Sequence, residues 1–258
     1  MAAFALGGTL AEQGRNLVYL MSVLMPLLAV PVCLFALTEP HRHSAATGEN
    51  TAFWSTLREG VRVSLASKVT LLILATFVLL NLVPEALEEY EAPLLDQLPD
   101  ISPTLIGMLL AGFTLANILG NLLAERMSAG GLHSVVLAYG LIGLLLLPLM
   151  AVPASVAIAI IALMCFLHGI GTVLLQGVLQ RSIHDDARST VTSLANFAQS
   201  ALALPFYGAF GLYATGYGFA AAFTMTGVFT VVIASSLSLL TGRVTNQHQT
   251  VQSEGPDS

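Results

Sequence analysis

Charge is what this chain has least of. Only 9% of its 258 residues are Asp, Glu, Lys or Arg, against about 25% in an ordinary soluble domain. Lysine occurs once, at Lys68, and the arginines form no cluster that could follow a phosphate backbone, so nucleic acid is not expected as a partner. The two cysteines, Cys33 and Cys165, lie in apolar stretches and form no C-x-x-C pair. They read as small packed hydrophobes, with no disulfide framework or thiolate metal site. No H-E-x-x-H, no pair of aspartates within an apolar stretch and no convincing Ser–His pair occurs, so enzymatic activity, a metal and a cofactor are all unexpected. Strand-like alternation is also missing: LLLLPLM (144–150) and VAIAIIALMCFL (156–167) are continuous apolar runs, whereas barrel strands alternate lipid-facing and lumen-facing residues.

What the chain has instead is apolar length. Hydrophobic residues make up 55% of it and its mean hydropathy is +0.81. Seven segments, at 17–37, 69–87, 104–123, 132–150, 153–177, 189–214 and 217–240, each approach or exceed spanning length; about 20 apolar residues cross roughly 30 Å of hydrocarbon as a helix. Lipid leaves backbone polar groups unsatisfied unless they pair internally. The expected fold is therefore an all-α polytopic membrane protein with seven spans. The first stretch lacks the basic flank of a signal peptide.

The basic residues predict orientation. Arg42, Arg58, Arg62 and Lys68 fall in the first connection, Arg126 in the third, Arg181 and Arg188 in the fifth, and Arg243 after the last span, all on one side; only Arg15 falls on the other. By the positive-inside rule the N-terminus lies outside and the C-terminus in the cytoplasm, in a multi-pass plasma-membrane protein. The second connection, with Glu85, Glu88, Glu89, Glu91, Asp96 and Asp100 and no basic residue, reads as exterior. The uncharged connections at 151–153 and 215–216 read as tight hairpins. Residues 38–67 form a cytoplasmic linker, in which Phe53, Trp54, Leu57, Val61 and Leu65 with Arg58 and Arg62 suggest an amphipathic interfacial helix. Residues 241–258 read as a disordered cytoplasmic tail.

Polar side chains inside spans are costly unless paired or facing water. Asn81 and Glu85 share a face of the second span, Asn117 and Asn121 of the third; His168, Gln176 and Gln180 lie on the fifth, Asn196 and Gln199 on the sixth. The fourth and seventh spans hold nothing more polar than hydroxyls. Spans two, three, five and six are thus expected to line a path and spans four and seven to face lipid, although amides also simply join helices. Candidate path or coupling residues are Asn81, Glu85, Asn117, His168, Gln176, Asn196 and Gln199. With no Lys or Arg mid-span, a hydrophobic or cationic solute suits them better than an anion.

Four stretches carry a resemblance to the C-terminal half of major facilitator superfamily transporters. AFALGGTLAEQG (3–14) resembles the end of that family's fifth helix. PEALEEYEAPLLDQLPDISPTLIGMLLAGF (84–113) resembles its passage from helix seven to eight. GNLLAERMSAGG (120–131) is similar to its G-x-x-x-D-R-x-G-[RK]-[RK] motif, with Glu125 in place of Asp and no basic pair. QRSIHDDARSTVTSLANF (180–197) resembles its connection between helices ten and eleven. Gly7 and Gly8 match the end of the antiporter G-P-x-x-G-G motif, where Ala3 and Phe4 replace Gly and Pro.

The resemblance implies that the seven spans are helices six to twelve: a helix-five-like end plus a helix-six-like span at 1–37, the linker at 38–67, and a six-helix bundle at 68–240. It implies secondary active transport of a small organic solute, with proton coupling as an option. It implies a cytoplasmic gate at Gly120, Glu125, Arg126, Arg181, Asp185 and Arg188, and an N-terminal half supplied from elsewhere. A non-transporting seven-helix protein, receptor-like or a scaffold, or an inactive transporter fragment is the alternative; a retinal pump would need a lysine inside the last span.

Overall fold

The computed structural model describes residues 2–36, 58, 62, 68–98, 101–127, 131–181, 183 and 188–253. They form eight helices: α1 (Ala2–Gln13), α2 (Arg15–Ala36), α3 (Lys68–Asp96), α4 (Pro103–Arg126), α5 (Leu132–Leu146), α6 (Ala154–Arg181), α7 (Arg188–Tyr217) and α8 (Phe219–Ser253). The interfacial helix expected around residues 53–65 lies outside the described residues, apart from Arg58 and Arg62. α8 continues to Ser253, into the stretch expected as a tail.

Each of the seven apolar segments falls mainly on its own helix, α2 to α8. Among the described residues, four helical stretches can cross a membrane by length and composition: Thr70–Asp96, Pro103–Arg126, Ala154–Arg181 and Phe219–Leu239. Two more, Tyr19–Pro31 and Leu132–Leu146, are apolar but shorter. The expected count of seven is thus finer than these criteria support. The physical reason is clearest in α7, whose apolar character is diluted by Ser193, Asn196, Gln199 and Ser200 along one helix. A multi-pass helical membrane protein is what the architecture gives.

Local chemistry sets the helix ends. Ser102 caps α4, its Oγ accepting from the Leu105 amide at 3.2 Å, and Pro103 follows at the first helical position, where its missing N–H costs nothing. The Glu12 carboxylate, at the end of α1, accepts from the Thr104 amide at 3.3 Å, placing negative charge at the positive end of α4. Between α7 and α8 the chain reverses at one residue, Gly218, whose φ of +87° suits a residue without a Cβ. Its amide donates to the Ala214 carbonyl at 2.8 Å. The turn therefore sits at 218 rather than at 215–216, because only there does the backbone enter the left-handed region.

Helix packing relies on small residues. Lipid is as apolar as the helices, so close backbone approach and dispersion do much of the work of association. α4 and α6 form the most extensive pairing, followed by α5 with α8. A Cβ on Gly120 would strike the Phe166 carbonyl, and one on Gly169 the Asn117 carbonyl, so α4 and α6 cross backbone to backbone at these residues. Likewise a Cβ on Gly143 would lie 2.9 Å from Val231 Cγ2, and one on Gly227 2.8 Å from the Gly143 carbonyl. α3, α4, α6 and α7 surround a polar interior, and α5 and α8 pack behind them.

The acidic stretch expected as an exterior loop is instead helical, because α3 runs on to Asp96. Glutamate is a good helix former, so the apolar run ends before the helix does. An aromatic cluster fastens this end of α3: the ring centroids of Tyr90 and Phe210 lie 4.2 Å apart and those of Phe210 and Phe223 5.2 Å apart, and the Tyr90 hydroxyl donates to the Tyr207 carbonyl at 2.8 Å. Phe210→Ala should cost about 3 kcal/mol through the void it leaves. The check is a fall of several degrees in the unfolding temperature in detergent.

Candidate functional site

The polar residues of four helices meet at one cavity of about 240 Å³. α3 supplies Asn81, Glu85 and Glu88, α4 supplies Asn117 and Asn121, α6 supplies His168, Thr172 and Gln176, and α7 supplies Asn196 and Gln199. All seven candidate path residues are on its wall. Helical spacing explains the convergence: Asn81, Glu85 and Glu88 recur at i, i+4 and i+7, as do Asn117 and Asn121 at i, i+4, so each helix presents its set on one face.

The lining groups hold one another. The Gln199 amide donates to Glu85 Oε2 across α7 and α3. His168 Nδ1 lies 3.5 Å from Glu88 Oε1. Asn121 Nδ2 donates to Asn117 Oδ1 at 3.3 Å, and Asn117 Nδ2 donates to the Cys165 carbonyl at 3.3 Å, a relay across the α4–α6 crossing. Asn81 Nδ2 donates to the Phe77 carbonyl at 3.1 Å within α3.

A second chamber of about 480 Å³ adjoins the first and shares Glu88 and Asn117 with it. Glu89, Glu91, Phe113, Thr114 and Cys165 also line it. From this chamber to the first, the lining advances from Phe113 to Asn121 on α4 and from Cys165 to Gln176 on α6, so the two helices run the same way. The Cys165 thiol donates to Glu91 Oε1 at 3.3 Å. Cys165 is thus half-buried, packed against the hydrophobic core as expected and also part of the chamber wall; the side chain of Cys33 lies outside the described residues. Among the described residues no Lys or Arg lines either chamber, so negative charge and amide dipoles dominate both.

α5 and α8, the spans expected to face lipid, each have an exposed apolar face and a buried one. α5 does turn Leu137, Leu141 and Leu144 outward, and α8 does the same with Met225, Val228 and Val232. Their other faces are buried, and Tyr139 of α5 is fully buried directly behind the cavity. Its hydroxyl donates to Asn81 Oδ1 at 2.5 Å. Tyrosine in an apolar run looks like packing or an interfacial anchor, so nothing short of the helix register could have singled it out.

Of the expected gate residues, the described Gly120, Glu125, Arg126 and Arg181 do not form one cluster. Gly120 is buried in the α4–α6 crossing. Glu125 and Arg126 are exposed at the end of α4, and Arg181 is exposed at the end of α6. The two arginines suit the negative C-terminal ends of their helices, and both lie toward one end of the bundle. Among the described residues no ion pair joins Glu125, Arg126 or Arg181. Asp185 and the side chain of Arg188 lie outside the described residues. Among the described residues no group of three or more His, Cys, Asp or Glu side chains is arranged to hold a metal ion.

Residues 1–206 match the family model described as Major Facilitator Superfamily. No curated protein and no solved structure gives a significant match.

Proposed function

The chain belongs to the Major Facilitator Superfamily, whose members are transporters rather than enzymes, and on that premise we propose that it serves secondary active transport of a small organic solute through the polar cavity. The observation that carries the proposal is the convergence of Asn81, Glu85, Asn117, His168, Gln176, Asn196 and Gln199 on one cavity from four helices. A polar side chain inside the membrane is expensive unless it faces water, a partner or a passing solute, and these residues face a common space.

The finer reading follows the same lines. The seven segments serve as spans corresponding to helices six to twelve, with α1 the end of helix five, the N-terminus outside and the C-terminus in the cytoplasm of a plasma-membrane protein. Glu88, whose side chain is 56% exposed, opens toward a second helical bundle that completes the path. Arg126, Arg181 and Arg188 with Glu125, Asp185 and the Gly120 crossing form the cytoplasmic gate. The lack of lining cations among the described residues and the presence of Glu85, Glu88, Glu89 and Glu91 favour an organic cation, and the Glu88–His168 contact offers a place for proton coupling.

The test is uptake of radiolabelled tetraethylammonium, with benzoate as anionic comparator, into membrane vesicles carrying the chain together with the helical bundle that completes its path, under an imposed pH gradient. The expected result is movement of the cation in preference to the anion, with a pH dependence flattened by Glu85→Gln or His168→Ala. Unchanged pH dependence in both variants rejects their coupling roles. Movement of neither probe above empty vesicles counts against the transport reading.

A further inference from the structure

The structure assigns to Tyr139 the role of a positioning residue for the cavity, acting from behind the wall through Asn81 and His168; we infer that it fixes which way the Asn81 amide faces. The functional half of this inference rests on the transport reading above, whereas its geometric half does not.

Tyr139 is fully buried on α5, does not line the cavity, and yet touches three of the side chains that do. Its hydroxyl donates to Asn81 Oδ1 at 2.5 Å and lies 3.5 Å from Thr172 Oγ1, which itself donates to Asn81 Oδ1 at 3.4 Å. Its ring meets the His168 ring edge-to-face, with centroids 6.3 Å apart at 66°. Room for that ring is made by Gly171, where a Cβ would lie 2.6 Å from Tyr139 Cε2. The site is therefore built from both sides, by a phenol on α5 and a missing side chain on α6.

The hydrogen-bond inventory then decides the amide. A phenol donating into Asn81 Oδ1 requires that oxygen to face α5, and Thr172 occupies its other lone pair. Asn81 Nδ2 spends one proton on the Phe77 carbonyl. What remains for the cavity is a single N–H. Asn81 thus presents a donor and no acceptor to a solute, in a wall where Glu85 and Glu88 already supply acceptors. Without the Tyr139 hydroxyl the Asn81 oxygen keeps only the longer Thr172 contact, and the amide is freer to rotate and present its oxygen.

Tyr139→Phe removes the hydroxyl and keeps the ring, including its contact with His168. In uptake of choline, a cation whose hydroxyl can accept from the Asn81 N–H, it should raise KM about tenfold, the scale of one hydrogen bond, with Vmax and unfolding temperature near those of the unmodified chain. Asn81→Ala should do the same, and the double variant should be no worse than either single one. An unchanged KM, multiplicative losses in the double variant, or a fall in Vmax that tracks a fall in stability would each overturn the positioning role. A second measurement needs no solute. In the full chain labelled with ¹⁵N-asparagine and held in nanodiscs, Tyr139→Phe should shift or double the Asn81 side-chain amide resonance and leave that of Asn117 in place. An unmoved Asn81 resonance overturns the inference even if transport is robust. If no probe is transported by the unmodified chain, the transport reading fails, and the resonance alone decides whether Tyr139 orients Asn81.

Discussion

Gly169→Ala is expected to be, with Gly120→Ala, among the most damaging single-methyl substitutions at the α4–α6 crossing, markedly lowering the unfolding temperature in detergent. The added Cβ would strike the Asn117 carbonyl and come within 3.0 Å of the Asn121 amide nitrogen. Both obstacles are backbone, so no rotamer change relieves them. α4 and α6 would have to separate along the most extensive helix pairing in the protein. Overpacking of a tight site costs about 1–3 kcal/mol and occasionally more, and a backbone obstruction belongs at the upper end. That is a large share of a stability of roughly 5–15 kcal/mol. The separation would also break the bond from Asn117 Nδ2 to the Cys165 carbonyl, carrying the damage into the cavity. Gly112→Ala is the internal control: it lies on the same α4, nothing stands within 4 Å of its added Cβ, and alanine favours helix over glycine by about 1 kcal/mol. Thermal unfolding followed by size-exclusion chromatography should show a marked fall for Gly169→Ala and none for Gly112→Ala. Equal behaviour of the two would show that the α4–α6 crossing is looser than its geometry.

Asn117→Leu should have the largest effect on transport at the smallest cost to the fold. Asn117 is one of two residues common to both chambers, and its amide is the middle member of the relay from Asn121 to the Cys165 carbonyl. Leucine is of similar length but has no polar atom. It leaves the crossing filled, removes two hydrogen bonds worth about 1 kcal/mol each, and places an apolar group where a polar solute must pass. On the proposed path, uptake of tetraethylammonium should fall more than tenfold while the unfolding temperature falls by only a few degrees. Asn117→Ala, which empties rather than fills the neck, should retain more activity than leucine. Equal activity of Asn117→Leu and the unmodified chain would take the residue off the path.

Much of the site is legible in the sequence because the membrane makes polarity conspicuous. Asn81, Asn117, His168 and Gln199 stand out in runs of Leu, Ala and Ile, and the periods of 3 and 4 between partners place them on single helix faces. The distinction between polar and apolar spans points to α3, α4, α6 and α7 as the lining helices, and the cavity lies among these four. Other features are opaque for identifiable reasons. Glu88, Glu89 and Glu91 look like an exterior loop, since charge ends an apolar run, but charge does not end a helix and α3 carries them onto the wall of the second chamber. Cys165 looks like a small hydrophobe because nothing local reveals that Glu91 is its neighbour. Gly120 belongs to a motif that reads as a gate, and its backbone contact with Phe166 depends on a helix distant in sequence.

By itself the sequence determined the solvent and the helical class. A chain that is 55% hydrophobic and 9% charged, with continuous apolar runs in place of alternation, satisfies its backbone in lipid as helices, and the same rule marks every polar residue within them as exceptional. Only the tertiary structure decided which of those exceptions meet. Tyr139 reaches Asn81 across 58 residues of chain, and Gln199 reaches Glu85 across 114. Such pairings are set by the rotation and depth of one helix against another. Those are fixed at Gly120, Gly169 and Gly171, where the absence of a single carbon lets two helices, or a helix and a ring, come close enough for the polar side chains beside them to bond.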